Sequence, residues 1–327
     1  MYQPYKRSSA LIYDLTINAI TTNYIGGYGL FRQVSLVPAY LMLYVISAKK
    51  NGGYGGKGQV EMALRNFFLQ HPVFTTSEFT EYLGREDKRN MSTRDNLLAY
   101  HVSKGHLLRV KQGLYVVVSP ERAAIDLPVD PYLLASRMAE DAVLAYHTAL
   151  DFHSKSYSIF NQFLYLTKHS IRKLSFRNYI FKAVRPPKAL LDQDKSKFGV
   201  VSQERNGLQI WVTSLERTLV DLFDKPHLGG GWEELWRSLE SVEFYDINEV
   251  IDYVLLLNNS TTVAKVGFFL EKNKKQFFVN SKALQVLKKK IPRQPHYMDK
   301  KLKGKLIKQW NLIVPEKIIE RTWGEVL

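Results

Sequence analysis

The amino-acid sequence predicts an α+β protein: an N-terminal winged helix-turn-helix, then a larger α+β domain with an antiparallel sheet and C-terminal helices. Three observations support this prediction. Residues 62–118 carry the patterns of three short helices followed by a hairpin. A polar, proline-bounded segment, SPERAAIDLPVDP, follows them. The rest of the chain has strand patterns in its first half and a series of helical patterns after them.

The first two predicted helices are marked by local signals. MALRNFFLQHPVF has apolar residues at helical spacing, and its proline ends the first helix. In the second helix, SEFTEYLG, Thr75 and Glu78 are spaced as a capping box, which satisfies free backbone N–H groups at the helix start. Phe74 and Phe79 are spaced as a hydrophobic staple, and Gly84 is the expected helix end.

The third predicted helix, STRDNLLAYHVSKGH, follows a charged turn. Ser92 and Asp95 are spaced as another capping box, and the helix is expected to end near Gly105. The next segment, LLRVKQGLYVV, predicts two strands joined at Lys111-Gln112-Gly113. Three helices and a hairpin in this order are typical of a winged helix.

The start of the third helix suits DNA reading. A helix of about 12 residues is about 18 Å long and fits a major groove. Arginine suits the edge of guanine and asparagine that of adenine. The predicted base-reading residues are Ser92, Thr93, Arg94 and Asn96. The predicted phosphate-binding residues are Lys88, Arg89, Lys104, Arg109 and Lys111. The alternative is a small protein-interaction module with a solvated charged face.

Length and composition set the wider limits. A chain of 327 residues has room for about two domains. A net charge of +15 favours polyanionic partners. The absence of cysteine excludes disulfides and thiolate zinc sites, and is compatible with the cytoplasmic location that we predict. We predict four segments: an extension at 1–61, a winged helix-turn-helix at 62–119, a linker at 120–131 and an α+β domain at 132–327.

The extension is predicted to be poorly ordered or not native. Its apolar stretch from Val34 to Ala48 is about 15 residues long and contains Pro38. A helix that spans a membrane needs about 20 residues, so we predict no membrane association. A sharper hypothesis is that Met62 is the native start, which N-terminal sequencing of the endogenous protein tests.

The predicted second domain combines a sheet with later helices. Helices are expected at PYLLASRMAED and AYHTALDFH, and strands at FLYLT, FRNYIFKAV, FGVVSQ and LQIWVT, the last two turning at Asn206-Gly207. Four more helices are expected at SLERTLVDLFDKP, WEELWRSLESV, INEVIDYVLLLN and TVAKVGFFLEKN. Thr213 and Glu216 are spaced as a capping box for the first of these four.

Residues 272–309 contain thirteen Lys or Arg and one acid, Asp299. Blocks of like charge bind polyanions or are solvated. We favour contact with nucleic acid through Lys288, Lys289, Lys290 and Arg293; a solvated face, or docking to an acidic or RNA-loaded protein, are the alternatives.

We predict no catalytic residue, no metal site and no cofactor. His147, Asp151 and His153 lie in one helical segment, but capping or core roles suit them better than metal binding. Three acidic residues could supply the carboxylates of a metal-dependent nuclease, although other roles are favoured: Glu216, Asp221 and Asp224. The run at 229–231 lacks the residues of a P-loop and indicates a turn.

The sequence from about Met62 to Val314 resembles the AbiEi-type antitoxins, transcriptional regulators of type IV abortive-infection toxin–antitoxin systems. The resemblance rests on the order of five segments: KQGLYVV, AYHTAL, SLERTLVDLFDKP, VAKVGFFLE and GKLIKQWNLIV. It implies a bifunctional bacterial protein. The winged helix would bind inverted repeats in its own promoter and repress the operon. The second domain would counter a nucleotidyltransferase-like toxin encoded beside it, without forming a stable complex.

Two other functions remain open on the sequence. One is a ligand-responsive winged-helix regulator without an antitoxin role, which a ligand-dependent change in operator affinity would favour. The other is a nucleic-acid-cleaving enzyme, which metal-dependent cleavage lost on Glu216→Ala or Asp221→Ala would favour.

Overall fold

A computed structural model of the chain describes residues 57–86, 91–118 and 129–323. Residues 57–118, which we call the head, contain α1 (Lys57–Gln70), β1 (Val73–Thr75), α2 (Thr76–Glu86), α3 (Met91–Ser103), β2 (Leu107–Lys111) and β3 (Leu114–Val117). The predicted extension lies almost wholly outside the described residues, and so does most of the predicted linker.

Residues 129–323, which we call the body, begin with a region of short helices and strands: α4 (Pro131–Ser136), β4 (Val143–Leu144), α5 (His147–Phe152), β5 (Gln162–Leu166), β6 (Leu174–Phe176), β7 (Tyr179–Val184), α6 (Lys188–Asp192), β8 (Val200–Arg205) and β9 (Leu208–Thr213). A helical region follows: α7 (Leu215–Asp224), α8 (Trp232–Glu240), α9 (Ile247–Leu256), α10 (Ser260–Lys272) and α11 (Ser281–Lys288). The last described elements are β10 (His296–Tyr297), β11 (Gly304–Ile307), β12 (Leu312–Pro315) and α12 (Glu316–Glu320).

The start of α2 confirms the predicted capping box. The Thr75 amide donates to Glu78 Oε2 at 2.7 Å, and the Glu78 amide donates to Thr75 Oγ1 at 3.2 Å. The rings of Phe74 and Phe79 are 5.7 Å apart, as expected for the staple. The expected end at Gly84 is wrong by two residues, because this glycine does not adopt the left-handed conformation that ends helices.

The remaining head predictions are largely confirmed. Gly105, with φ +71°, follows the end of α3, and Gly113, with φ +77°, lies in the hairpin turn. Ser92 lies one residue inside α3 and not ahead of it as predicted. The sequence did not predict β1, which pairs antiparallel with β3 and gives the sheet order β1-β3-β2.

The body contains a six-stranded sheet of order β6-β7-β5-β4-β9-β8. It is a mixed sheet: β6/β7, β5/β4 and β8/β9 pair antiparallel, whereas β5/β7 and β4/β9 pair parallel. The single strand expected at FRNYIFKAV is in fact two strands, because the chain turns at Arg177 with a positive φ of 53°. The predicted turn at Asn206-Gly207 is confirmed, with φ +51° and +76°.

Helices α7 to α10 confirm the helical second half of the body. The predicted N-cap of α7 is wrong by one residue: Ser214, and not Thr213, accepts a hydrogen bond from the Arg217 amide. Glu216 accepts instead from the Asp246 amide at 3.1 Å, so its carboxylate bridges the starts of α7 and α9. The basic region contains the helix α11, whose Leu287 is fully buried.

A second small sheet, of order β10-β12-β11, is formed by the end of the basic region and the residues that follow it, and it was not predicted. Its β12 lies against α10, where the indole of Trp310 packs over Gly267. A Cβ atom at Gly267 would lie 2.1 Å from the Trp310 ring, so only glycine allows this approach.

Head and body share one hydrophobic core. The head contributes Val73, Leu114, Val116 and Val118, which cluster with body residues such as Leu133. The opposite side of the head sheet packs on a separate aromatic core formed with α1 and α2. Strand β3 therefore lies between two cores, and the head sheet is held against the body by apolar burial.

Candidate nucleic-acid interface

Helix α3 is held on the head by the side that faces the aromatic core. Leu98 is 3% exposed in that core, and the His101 ring contacts the Phe68 ring edge-on at 5.0 Å. Asp95, Asn96, Ala99 and Tyr100 are exposed. One side of the helix is thus committed to packing, while the other is open for contact with a partner.

Arg94 is oriented by its neighbours at the start of α3. Its Nη2 lies 2.7 Å from Asp95 Oδ1, and its Nη1 donates to Thr80 Oγ1 of α2 at 3.1 Å. The side chain is 16% exposed. A guanidinium held in this way loses little conformational freedom on binding, which favours a bidentate contact with a base.

The cations around α3 are not equivalent. Lys104 and Arg109 are exposed, and Lys104 lies 5.9 Å from the centre of the Tyr100 ring. Lys111 is half-buried and its ammonium donates to the Met138 carbonyl of the body at 2.8 Å. Burial lowers the pKa of this ammonium.

A β-bulge explains why two cations on one strand differ. The pairing of β2 with β3 shifts register between Arg109 and Lys111. A bulge redirects the side chains that follow it. Arg109 therefore lies on an open surface, while Lys111 is directed towards the body.

The other predicted residues are placed as follows. Thr93 and Asn96 belong to the first two turns of α3 with Ser92, so the structure brings the described base-reading candidates to one helix end. Lys88 and Arg89 lie outside the described residues. The direct contact of each with DNA stays a prediction.

Sequence reasoning missed the contact that joins this surface to the body. Glu78 Oε1 forms an ion pair with Arg137 Nη2 at 3.3 Å, and Arg137 Nη1 donates to the Gln209 carbonyl of β9. The capping residue of α2 is thereby tied to the central sheet. The spacing of Thr75 and Glu78 predicted only the capping role, since nothing local in the sequence indicates the distant arginine.

The basic region of the body presents a second cationic surface. Lys289, Lys290 and Arg293 are exposed beside the end of α11. Lys288 differs from them, because its ammonium pairs with Glu271 at 3.3 Å and lies 5.2 Å from the centre of the Trp310 ring. Three of the four predicted residues are therefore exposed, and one is engaged within the body.

The histidines considered for metal binding have separate partners. His147 Nε2 lies 3.0 Å from Glu234 Oε1, and His153 Nε2 lies 2.9 Å from the Thr213 carbonyl. Asp151 accepts from the hydroxyls of Tyr132 and Ser156. Within the described residues, no group of three potential ligands is arranged to hold a metal ion.

Glu234 accepts several hydrogen bonds that hold neighbouring segments of the body together. Its Oε1 also accepts from the amide of Ser158 and from the hydroxyl of Ser238, each at 3.0 Å. Burial raises the pKa of Glu234, but hydrogen bonds from Ser158, His147 and Ser238 outweigh it and bring this pKa below its usual value. The carboxylate therefore stays charged and holds the loop at 157–158 against α8.

The three carboxylates considered for a nuclease are also dispersed. Asp221 is buried and accepts from Tyr253 at 2.6 Å and from Arg217 at 3.3 Å. Burial raises its pKa against the opposing effect of Arg217. Asp224 accepts from Thr262 at 2.8 Å, and Glu216 bridges two helix starts. Each has a structural partner, so the three do not converge on one site.

The fold and the exposed side of α3 define a winged-helix protein with an appended α+β body. Residues 62–118 match the family model described as "Transcriptional regulator, AbiEi antitoxin". This match confirms, over the head, the resemblance to the AbiEi antitoxins. It supports a role as an antitoxin or transcriptional regulator.

Two further comparisons add little. No curated protein matches the chain. Among solved structures, the RV2827C protein from Mycobacterium tuberculosis is similar with a TM-score of 0.49 and 16% identity, over 77% of this chain and 90% of that one. A likeness at this level supports no conclusion about the present chain.

Among the described residues, none of the helices has the length and apolar composition needed to cross a membrane.

Proposed function

We propose that this protein is a cytoplasmic antitoxin of a type IV abortive-infection system and that it also represses its own operon. The observation that carries the proposal is the open side of α3, which presents the exposed Asn96 close in sequence to the oriented Arg94 in a segment that matches the AbiEi antitoxins. The operator would be an inverted repeat in duplex DNA, because each half-repeat offers a major groove to one such helix.

In this proposal α3 enters the major groove by its first turns. Base edges are contacted by Ser92, Thr93, Arg94 and Asn96, and backbone phosphates by Lys88, Arg89, Lys104 and Arg109. Lys111 was also predicted from the sequence to contact phosphate, but this contact is not part of the proposal. Its bond to Met138 supports an anchoring role for the wing instead.

The body is proposed to counter a nucleotidyltransferase-like toxin without catalysis and without a stable complex. The family match supports this role. Lys289, Lys290 and Arg293 supply an exposed cationic surface through which the body would contact nucleic acid or an acidic partner.

The DNA-binding part is tested with full-length protein and its own upstream DNA. Arg94→Ala is expected to weaken operator binding by about 1–3 kcal/mol and to leave binding to random duplex nearly unchanged, because a base contact is lost. Arg172→Ala, an exposed arginine of the body, is the matched control and is expected to change neither. Equal weakening on both DNAs would show that Arg94 contacts only phosphate.

The antitoxin part is tested by co-expression with the product of the adjacent gene, scored by growth. Wild-type protein and the double variant Arg94→Ala/Asn96→Ala are both expected to restore growth when expressed from an unrelated promoter, while only the wild type represses a reporter fused to its own promoter. Loss of rescue in the double variant would contradict an antitoxin role carried by the body. Failure of the wild type to rescue would refute the antitoxin function.

A further inference from the structure

The body contains an open cleft to which the proposed function assigns no role. It lies between the loop after β7, helix α6, the end of α7 and the turn from α9 to α10, and its volume is about 610 Å³. Clefts of about 300–1,000 Å³ hold small ligands and cofactors. This one is therefore large enough for a ligand of the size of a mononucleotide.

Three cations line the cleft: Arg185, Lys188 and Lys225. Arg185 and Lys188 are exposed, and Lys225 is half-buried. Among the described residues, none of the three forms an ion pair or donates a side-chain hydrogen bond; the ammonium of Lys225 contacts only the Tyr146 ring, at 6.0 Å. Unpaired cations that converge on one cleft favour an anionic group, and phosphate is the anion that Lys and Arg bind best.

The two acids of the lining do not cancel this charge. Asp224 accepts hydrogen bonds from Asn259 at 3.0 Å and from Thr262 at 2.8 Å, and the buried Lys265 lies within electrostatic range behind it. Its charge is thus balanced from within the protein. Asp192 is exposed at the rim, where solvent screens it.

Apart from Asn259, the rest of the lining is apolar. Pro187 and Leu191 are half-buried and form an apolar surface of ring and methyl groups beside the cations. Such a surface suits the face of a planar ring, while phosphate alone would leave it unused. The lining therefore matches a molecule that carries a phosphate at one end and an apolar planar body at the other.

The backbone beside the cleft is strained. Tyr146, whose ring contacts Lys225, has φ 57° and ψ −135°, a conformation that non-glycine residues rarely adopt. Its hydroxyl is buried and has no hydrogen-bond partner among the described residues. Strain and unsatisfied polar groups concentrate at functional sites.

We propose that the cleft binds a nucleoside monophosphate, with Arg185, Lys188 and Lys225 on the phosphate and the proline-leucine surface against the base. The site lies in the body and gives the protein a small-molecule ligand in addition to DNA. It goes beyond the proposed function, which assigns no ligand to this cleft.

Isothermal titration of the full-length protein tests the proposal, with AMP, GMP, CMP and UMP as probes up to about 10 mM, so that Kd values near 1 mM are detected. At least one nucleotide is expected to bind on the order of tenfold more tightly than both inorganic phosphate and its own nucleoside, because it alone uses both parts of the cleft. No binding by any of the four would overturn the proposal. Equal binding of phosphate and nucleotide would overturn the nucleoside part.

Charge reversal locates the site. Arg185→Glu/Lys188→Glu is expected to weaken nucleotide binding by about tenfold or more, since two phosphate contacts become repulsive. Arg172→Glu/Lys173→Glu makes the same charge change at exposed positions outside the cleft and is the control, with less than about a twofold effect expected. An equal loss in both double variants would show that net charge and not the cleft binds the nucleotide, and would refute the proposal.

Discussion

The structure predicts opposite phenotypes for two cations of the same strand. Arg109 and Lys111 are two residues apart on β2, but the bulge between them leaves Arg109 exposed and directs Lys111 to the Met138 carbonyl of the body. We expect Arg109→Gln to impair DNA binding without changing stability. We expect Lys111→Gln to lower stability without removing a DNA contact.

The magnitudes follow from what each side chain touches. One phosphate contact contributes about 0.9 to the slope of log K against log salt concentration, so Arg109→Gln should reduce that slope by about 0.9. Its effect on the free energy of unfolding should stay within about 0.5 kcal/mol, as for most surface changes. Lys111→Gln removes a hydrogen bond from a charged donor, which stabilises by about 1.5–3 kcal/mol. Because Lys111 is only half-buried, the lower end of that range is expected.

The two quantities are measured separately. Fluorescence anisotropy with the operator duplex at several salt concentrations gives the slope, and urea unfolding gives the stability. The reasoning would be refuted for Lys111 if Lys111→Gln reduced the slope as Arg109→Gln does, since the ammonium would then leave Met138 for a phosphate. It would be refuted for the wing as a whole if Arg109→Gln left the slope unchanged.

Three further predictions concern the body, one of them with a comparison variant in the head. Lys289→Ala/Lys290→Ala should reduce the salt slope of DNA binding by up to about 1.8 if both contact phosphate, and an unchanged slope would assign this surface to another partner. Gly267→Ala should lower the free energy of unfolding by about 1–3 kcal/mol, because the added methyl group would overpack against the Trp310 indole. Gly84→Ala should raise the free energy of unfolding by up to about 1 kcal/mol, because a Cβ atom there meets nothing within 4 Å and alanine favours the helix. Urea unfolding of both variants measures these changes. Because the pKa of Glu234 is lowered in the folded protein, its stabilising effect is present above its usual pKa and is lost as pH falls through the folded value. The stability difference between wild type and Glu234→Gln should therefore shrink below about pH 4.5, and a difference that stays constant down to pH 3 would contradict this charge state.

The head could be predicted largely because its signals are local. The capping box of Thr75 and Glu78, with the staple that flanks it, fixed the start of α2 within the span of a few residues. Strand β1 escaped prediction because three residues are too short to show alternation, and because it forms only when β3 lies beside it. The orientation of Lys111 depends on a bulge and on a distant carbonyl, which no local pattern encodes.

The sequence predicted the fold class of the body but not the order and pairing of its strands. Its helices have clear apolar periodicity, but β4 contains only two residues and takes its place in the sheet through long-range pairing with β5 and β9. The N-cap of α7 was placed one residue early, since Thr213 and Ser214 are both good capping residues and only the path of β9 decides between them. The cleft is lined by the loop after β7 and by the turn before α10, which are far apart in the chain. No local sequence pattern predicts that two such distant segments lie side by side.

The shared core determines how the two proposed activities can be separated. Val73, Leu114, Val116 and Val118 of the head are buried against the body, and each side chain contributes about 1.5–3 kcal/mol when buried. Their sum is comparable with the 5–15 kcal/mol that stabilises a whole domain. A head cut at its boundary would expose these side chains, so loss of DNA binding in such a fragment would report unfolding and not function. Point substitutions on the open side of α3 leave the core intact, and they are therefore the variants that can assign repression to the head and neutralisation to the body.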